Sequence, residues 1–230
     1  MQEDALKLQV QRLPDLVLRQ LMEWVLDGEI RMGQKLNIEE LSTRLGVSRM
    51  PVREAINSME KMGIVESVPY VGARIVTLSK ADILQLYLVR ENLEPTMVFH
   101  ACRQITREQL ERTKSIQIEL EDYLKSGETA ARQVYRLNRE FHFSIYKASN
   151  LDKVCDIISM VWDNLSLCKM IYEVSYIKDK REAGRMVSEH REYISLLEEG
   201  NSDKLRELLT ENLKKRTIEV PEKVSEYLSE

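Results

Sequence analysis

The chain has 230 residues, of which 43% are hydrophobic and 31% charged, a composition that supports a sizeable core and excludes a disordered protein. Its net charge is −4, and residues 1–79 contain ten Lys and Arg against eleven Asp and Glu, which excludes a protein that coats nucleic acid through general basicity. Three scattered cysteines and the absence of a long apolar run predict a cytoplasmic protein without membrane contact.

Three helices are predicted first along the chain. Apolar residues at four-residue spacing predict a helix over residues 14–27. A second helix is predicted over 38–45, because Asn37 suits an N-cap and Gly46 suits a helix C-terminus. A third begins after Ser48, another residue type that favours the N-cap position.

A β-hairpin is predicted next. Residues 64–68 and 73–77 are two short β-favouring runs, and the Pro-Tyr-Val-Gly turn at 69–72 separates them. Helix, helix, tight turn, helix and hairpin is the order of a winged helix-turn-helix. We therefore predict a DNA-binding domain over residues 1–78.

The remainder, residues 79–230, is predicted to be an all-α bundle, so the expected fold class is mainly α. Ser79 and Thr106 begin sequences typical of a capping box, and Asn150 and Asn201 lie where N-caps are expected. About six helices are predicted, over residues 80–104, 107–125, 129–148, 151–172, 177–199 and 202–215, the last with a possible extension.

The most informative segment covers residues 41–56 and reads LSTRLGVSRMPVREAI. Arg49 and Arg53 lie four residues apart, hence on one helical face, and their guanidinium groups suit guanine or phosphate. Ser48 can cap the helix and donate to a phosphate, and Arg44 on the preceding helix can reach the DNA backbone. Two arginines at this spacing also occur on ordinary surface helices, so the order of the whole run decides for DNA binding.

That run closely resembles the signature of the GntR family, L-A-x-x-L-G-V-S-R-T-P-V-R-E-A-L, and residues 59–65 are similar to the family's L-E-x-E-G-L-V. The resemblance covers residues 13–77. It implies a homodimeric regulator that binds double-stranded DNA at a two-fold-related operator. In this resemblance the DNA-contacting residues are Arg44, Ser48, Arg49, Met50, Pro51, Arg53, Tyr70, Gly72 and Arg74.

Two positions depart from the family pattern. Met50 stands where the family usually has Thr, so a flexible apolar side chain replaces a hydroxyl and suits a thymine methyl. The family often places Arg or His just before the glycine that corresponds to Gly72, whereas here that position is Val71. Tyr70 or Arg74 would have to supply any contact from the wing.

The helical half is similar to the FCD ligand-binding domain of the FadR-type GntR subfamily over residues 80–217. Residues 90–95, 138–142, 149–151 and 189–194 match or approximate that domain's R-x-x-L-E-P, D-x-x-F-H, G-N-x-x-L and E-H-x-x-I, in the same order. Six predicted helices rather than seven resemble the VanR-type branch. The resemblance implies an effector-binding and dimerisation domain whose effectors are mostly small organic acids.

In the FCD domain an Asp and three His commonly hold a divalent metal such as zinc or nickel. The resemblance assigns the Asp position to Asn138, two His positions to His142 and His190, and the third to Asn212. A neutral amide oxygen is a poor ligand for transition metals. Two interpretations stay open: a metal held by His142, His190 and Asn138, or a metal-free pocket in which these side chains bond a polar ligand directly.

Arg90 completes the predicted effector-binding set. An inward-facing Arg on an apolar helix needs an anionic partner, which is either a bound carboxylate or Glu94 four residues later. The predicted effector-binding residues are Arg90, Asn138, His142, His190 and Asn212.

The sequence therefore predicts a transcription regulator, and a repressor, whose DNA affinity changes when an organic acid binds the helical domain. One alternative is an enzyme built on the helical bundle, metal-dependent or not, although the chain has no Gly-rich phosphate loop, nucleophile elbow or H-E-x-x-H motif. Another is a constitutive DNA-binding protein whose degraded sensor site no longer responds.

Overall fold

A computed structural model describes residues 12–26, 29–127 and 130–229 of the chain. The chain divides into two compact units, Met1–Thr77 and Leu78–Glu230. The predicted fold class, a winged helix-turn-helix followed by a helical bundle, is confirmed. Within the described ranges, no helix combines the length and the apolar character needed to cross a membrane.

The first unit contains three helices and a hairpin, namely α1 (Leu13–Leu26), α2 (Ile38–Leu45), α3 (Arg49–Lys61), β1 (Val65–Val68) and β2 (Gly72–Ile75). Asn37 caps α2 by accepting two backbone N–H groups, and Gly46 ends α2 in the left-handed region at φ 66°, as predicted. Leu21 and Met59 are fully buried where α1 packs against α3. The predicted end of the first helix, Asp27, lies outside the described residues.

The hairpin has an additional neighbour that the sequence did not predict. Leu36 donates its N–H to the carbonyl of Ala73 at 2.8 Å, and Ile75 donates to the carbonyl of Gln34 at 3.0 Å. Residues 34–36 therefore run as an extended segment beside β2. This places the turn between α1 and α2 next to the wing.

Seven helices form the described part of the second unit: α4 (Lys80–Cys102), α5 (Arg107–Lys125), α6 (Ala131–Lys147), α7 (Asp152–Asn164), α8 (Ser166–Lys178), α9 (Lys180–Glu199) and α10 (Ser202–Ser229). The capping boxes predicted at Ser79 and Thr106 are both formed. Asn201 accepts the backbone N–H of Lys204 in the first turn of α10, as its predicted cap role requires. The predicted helix start at Thr129 falls outside the described residues.

Two predictions in this unit are wrong. The single helix predicted over residues 151–172 is divided at Leu165 into α7 and α8, so the described part of this unit contains seven helices and the basis for the VanR-type assignment fails. Asn150 is not the cap of α7, because Leu151 holds that position and Asn150 itself lies in the left-handed region at φ 55°. It ends the turn after α6 instead.

Large side chains fill the space among α4, α6 and α7. Tyr87, Phe141, Tyr146 and Trp162 are all fully buried there. Helix α10 packs along α4 and also touches α8 and α9. These packed helices bring residues distant in the sequence around one interior space.

Candidate nucleic-acid surface and ligand cavity

The N-terminal end of α3 presents the side chains that the sequence singled out. Ser48 is the N-cap with extended backbone, but its hydroxyl makes no capping hydrogen bond, contrary to the predicted cap role, and it stays exposed. Met50 is 61% exposed, and Arg53 is exposed without an ion-pair partner among the described residues. A hydroxyl, a thioether and a guanidinium therefore project from the first turns of one helix.

Two further arginines of this surface already have partners. Arg49 forms an ion pair with Glu39 at 2.5 Å, and both side chains are largely exposed. Arg44 pairs with Glu29 and stacks over the ring of Trp24 at 3.5 Å from its centroid. Exposed ion pairs contribute roughly 1 kcal/mol or less, so a phosphate can displace either carboxylate.

Pro51 requires a correction, because its side chain is buried in the first turn of α3. Proline suits the first turn of a helix, where its missing N–H is not needed. In this position Pro51 packs with Val52 and Ala55 on the inner face of the helix. Its contribution is to seat α3 rather than to contact a ligand.

The wing turn projects Tyr70, which is fully exposed in the left-handed region at φ 64°, followed by Gly72 at φ 97°. Arg74 pairs with Glu66 across the hairpin at 2.8 Å, so its charge is partly neutralised. The sequence analysis missed Lys35, which is exposed. Its backbone forms an antiparallel β-bridge with Arg74 from the segment beside β2. No local motif marks Lys35, because only the pairing of residues 34–36 brings it to the wing.

In the second unit a small cavity of about 40 Å³ lies among α4, α6, α8, α9 and α10. All five predicted effector-binding residues line it, namely Arg90, Asn138, His142, His190 and Asn212. A space of this size holds a few atoms beyond a single water molecule. The structure thus brings together residues that the sequence places on four separate helices.

Hydrogen bonds fix the tautomer of His190. Its Nδ1 lies 2.7 Å from Oε1 of Gln117, and the amide of Gln117 donates to Glu121 at 3.1 Å. Gln117 therefore turns its carbonyl oxygen to the imidazole, so Nδ1 donates and Nε2 keeps its lone pair. Burial, reinforced by Arg216, lowers the pKa of His190 to about 3, and the ring is neutral.

His142 lies beside His190, with ring centroids 5.1 Å apart and ring planes perpendicular. Burial, followed by the proximity of His190, lowers the pKa of His142 well below its ordinary value. Its Nδ1 is 3.5 Å from the hydroxyl oxygen of Tyr146. The cavity therefore contains two neutral imidazoles.

A buried charge pair on α8 also reaches this region. Lys169 Nζ lies 3.7 Å from Oε1 of Glu173 and 4.2 Å from the ring centroid of Trp162, and Asn138 donates to the same oxygen of Glu173 at 2.7 Å. Burial and the nearby Arg90 lower the pKa of Lys169 to about 8, and burial raises the pKa of Glu173. The sequence analysis missed both residues, whose i, i+4 spacing is more typical of a surface pair.

Arg90 and Glu94 form a two-pronged ion pair, with Nε–Oε1 at 2.7 Å and Nη2–Oε2 at 3.2 Å. Tyr146 and the indole N–H of Trp162 also donate to Glu94, at 2.8 and 2.7 Å. Of the two partners predicted for Arg90, a bound carboxylate or Glu94, the structure therefore contains Glu94. Among the described residues, Nη1 of Arg90 nevertheless has no hydrogen-bond partner and is buried, which leaves this nitrogen to donate to a ligand.

Unpaired polar atoms gather at this cavity. Of the five buried side-chain polar atoms without a partner in the described residues, four belong to residues on or next to the cavity wall: Tyr87 Oη, Arg90 Nη1, Asn138 Oδ1 and Glu173 Oε2. Each such atom costs about 1–3 kcal/mol when it stays unpaired. A ligand or water in the cavity would recover that cost.

The side chains around the cavity fit a divalent transition metal poorly. Among the described residues there is no group of three or more His, Cys, Asp or Glu that could hold a metal. The four positions that the resemblance assigns provide two imidazoles and two amides, and Asn212 already donates to Tyr193 at 2.8 Å. Zinc and nickel bind more strongly to carboxylate, imidazole and thiolate groups than to neutral amides.

Comparisons with known proteins match both units. The model of the family described as "bacterial regulatory proteins, gntR family" matches residues 15–75, and the FCD domain model matches residues 85–215. The HTH-type transcriptional regulator YdhC of Bacillus subtilis is 27% identical over 184 residues, which span 80% of each chain. The HTH-type transcriptional repressor RspR of Escherichia coli is 23% identical over 192 residues, 80% of this chain and 78% of that one.

Among solved structures, Escherichia coli McbR/YncC superimposes with a TM-score of 0.66 at 20% identity, covering 93% of this chain and 99% of that one. At this identity the likeness supports the fold alone. The sequence relatives are transcriptional regulators, which decides against the enzyme alternative.

Proposed function

The chain belongs to the GntR family of transcriptional regulators and carries an FCD domain, and from this premise we propose that it is a homodimeric repressor whose DNA affinity responds to a small organic acid. The relative RspR is named a repressor, which favours the same sign of regulation here. A dimer presents two copies of α3 and suits a two-fold-related operator. Its place of action is the cytoplasm.

The observation that carries the DNA-binding role is the guanidinium of Arg53, which is exposed and has no ion-pair partner in the part of the chain that the structure describes. Arg49 lies one turn earlier on the same face of α3, and its surface ion pair with Glu39 can exchange for DNA. The hydroxyl of Ser48, which makes no capping hydrogen bond, and the N-terminus of α3 suit a phosphate. The exposed thioether of Met50, between Arg49 and Arg53 in the sequence, suits a thymine methyl.

Support for the effector role comes from the cavity of the second unit. A carboxylate accepts from Nη1 of Arg90, the donor that Glu94 leaves unsatisfied. The acceptor Oδ1 of Asn138 suits a hydroxyl or ammonium group of the same ligand. The size of about 40 Å³ favours a small acid over a long-chain one.

The DNA-binding proposal is tested by selecting duplexes from a random pool and measuring affinity by fluorescence anisotropy over a salt series. We expect Arg53→Ala to weaken binding to the selected duplex by roughly 10-fold to 100-fold, the value of one guanidinium contact. Lys61→Ala is the matched control, because Lys61 is an exposed base at the opposite end of α3. Equal losses in both variants, or no preference over random duplex, would refute the assigned surface.

The effector proposal is tested with the variant Trp24→Phe, in which the remaining tryptophan is Trp162, beside Lys169 of the cavity wall. Small mono-, di- and tricarboxylic acids are screened for a change in Trp162 emission and, separately, in DNA affinity. We expect one class of acid to change both, and Arg90→Lys to weaken the response. If no acid changes either quantity, the constitutive alternative replaces this part of the proposal.

A further inference from the structure

The amide groups at two of the four assigned metal positions are already committed within the protein. Asn138 donates to Glu173, and Asn212 donates to the hydroxyl of Tyr193. The positions can therefore offer only amide oxygens beside the two imidazoles, with no negative charge among them. A divalent ion held there would have to be neutralised by other groups.

The charged groups that line the cavity are cations as well as carboxylates. Arg90 is bound to Glu94, and Arg216 donates to Glu189 at 2.9 Å and to Glu219 at 2.7 Å. Glu94, Glu189 and Glu219 are thus each engaged by a guanidinium. Glu173 is the exception, because its charge is offset by the ammonium of Lys169 and its Oε2 has no partner among the described residues.

Lys169 differs from the two arginines. Its Nζ lies 3.7 Å from Oε1 of Glu173, and this oxygen already accepts a shorter hydrogen bond, of 2.7 Å, from Asn138. The side chain is 10% exposed, and its ammonium faces Trp162. A buried ammonium with a long, shared ion pair remains an attractive group for an anion.

We propose that the ammonium of Lys169 supplies the positive charge of this cavity in place of a divalent metal ion. The inference rests on the proposed sensing role of the cavity. Because Lys169 is built into α8, the site is complete without an ion taken from solution. An anionic ligand then meets Lys169 and Arg90 directly, and its binding does not depend on metal supply.

The test is a titration of the chelator-treated, full-length protein with Ni²⁺ or Zn²⁺, followed by calorimetry and elemental analysis after gel filtration. We expect the wild-type protein to retain less than about 0.1 ion per chain. Lys169→Gln, which removes the competing charge, raises Ni²⁺ affinity at least about tenfold. Lys178→Gln, an exposed lysine at the end of the same helix, is the matched control and leaves affinity unchanged.

A second variant restores the assigned ligands. Asn138→Asp with Asn212→His is expected to bind Ni²⁺ more weakly than the same double variant carrying Lys169→Gln. Circular dichroism checks that each variant folds. If the double variant does not fold, the comparison of the wild-type and Lys169→Gln proteins is sufficient.

Two results would overturn the inference. One is a wild-type protein that keeps about one metal ion per chain and loses it in His142→Gln but not in His100→Gln, since His100 is exposed on α4 away from the cavity wall. The other is an unchanged Ni²⁺ affinity in Lys169→Gln. Neither readout involves DNA or an organic acid, so a failure here is distinguishable from a failure of the proposed regulatory function.

Discussion

The two units use charged side chains in opposite environments. On α3 and its neighbours, Arg49 and Arg44 hold exposed carboxylates that solvent screens, so their ion pairs can open at little cost. Around the cavity, Arg90 and Lys169 hold carboxylates that are almost completely buried, so removing one partner leaves a charge in an apolar surrounding. The first arrangement suits exchange with a polyanion, and the second suits a fixed site that discriminates among small ligands.

The largest effect is expected from Glu94→Gln in the buried arrangement. Glu94 is fully buried and accepts from Arg90, Tyr146 and Trp162, so the change leaves the guanidinium of Arg90 without its counter-charge. We expect the free energy of unfolding of the second unit to fall by roughly 3 kcal/mol. Urea unfolding in the Trp24→Phe background, where the emission comes from Trp162, measures this.

Glu111→Gln is the exposed counterpart on α5, because Glu111 pairs with Lys114 at the surface. Its unfolding midpoint should remain close to that of the wild type. Similar losses in the two variants would show that burial does not distinguish the two kinds of ion pair.

Acid is expected to lower the free energy of unfolding of the second unit more than that of the first, and the size of this effect ranks second. All three histidines lie in the second unit, and His190 stays neutral when folded because its pKa is about 3. In the unfolded chain this histidine takes up a proton near pH 6.5. The free energy of unfolding therefore falls as pH drops from 6.5 toward 3, by about 1.4 kcal/mol per pH unit for one such histidine. His142 acts in the same direction. Unfolding curves at pH 7 and 5 test this, with Trp162 as the probe.

Trp24, in the histidine-free first unit, supplies the internal comparison. The unfolding midpoint that Trp24 emission reports should move less between pH 7 and 5 than the midpoint that Trp162 emission reports. His100→Gln should leave the pH dependence intact, because His100 is exposed. A pH-independent transition at Trp162 would contradict the neutral, buried state of His190.

The smallest effect concerns the exposed arrangement. Glu39→Gln removes the partner of Arg49 and a negative charge near α3, so DNA affinity should rise by roughly twofold to fivefold at low salt and less at high salt. Anisotropy titrations measure it. Glu60→Gln, near the far end of α3, should change affinity less. A decrease with Glu39→Gln would mean that Glu39 positions Arg49 for DNA rather than competing with DNA for it.

Local chemistry made much of the fold predictable. The capping side chains of Asn37, Ser79 and Thr106 and the left-handed Gly46 act within one helical turn, and each marks a helix end in the structure. The division at Leu165 was missed because no proline or glycine marks it and the apolar pattern continues, although Asn164 and Ser166, residue types that favour helix ends, flank it. Periodicity detects a buried face but not a bend within it.

The sites divide in the same way. The contiguous run from Ser48 to Arg53 could be identified as an exposed helix start from its order alone, although the burial of Pro51 could not. Lys169 and Glu173 were missed, because their burial depends on Trp162 and on helices far away in the sequence. Lys35 reaches the wing only through strand pairing with β2.

The capping box at the start of α4 has a mechanical consequence. Ser79 and Asp82 bond each other's backbone and side chain, which stiffens the first turn of the helix, and the first unit ends only two residues earlier, at Thr77. Arg90 lies ten residues into the same helix, about 15 Å along a rod with a rise of 1.5 Å per residue. Only Leu78 separates the end of the first unit from this capped turn, so the helix that carries Arg90 begins almost where the first unit ends.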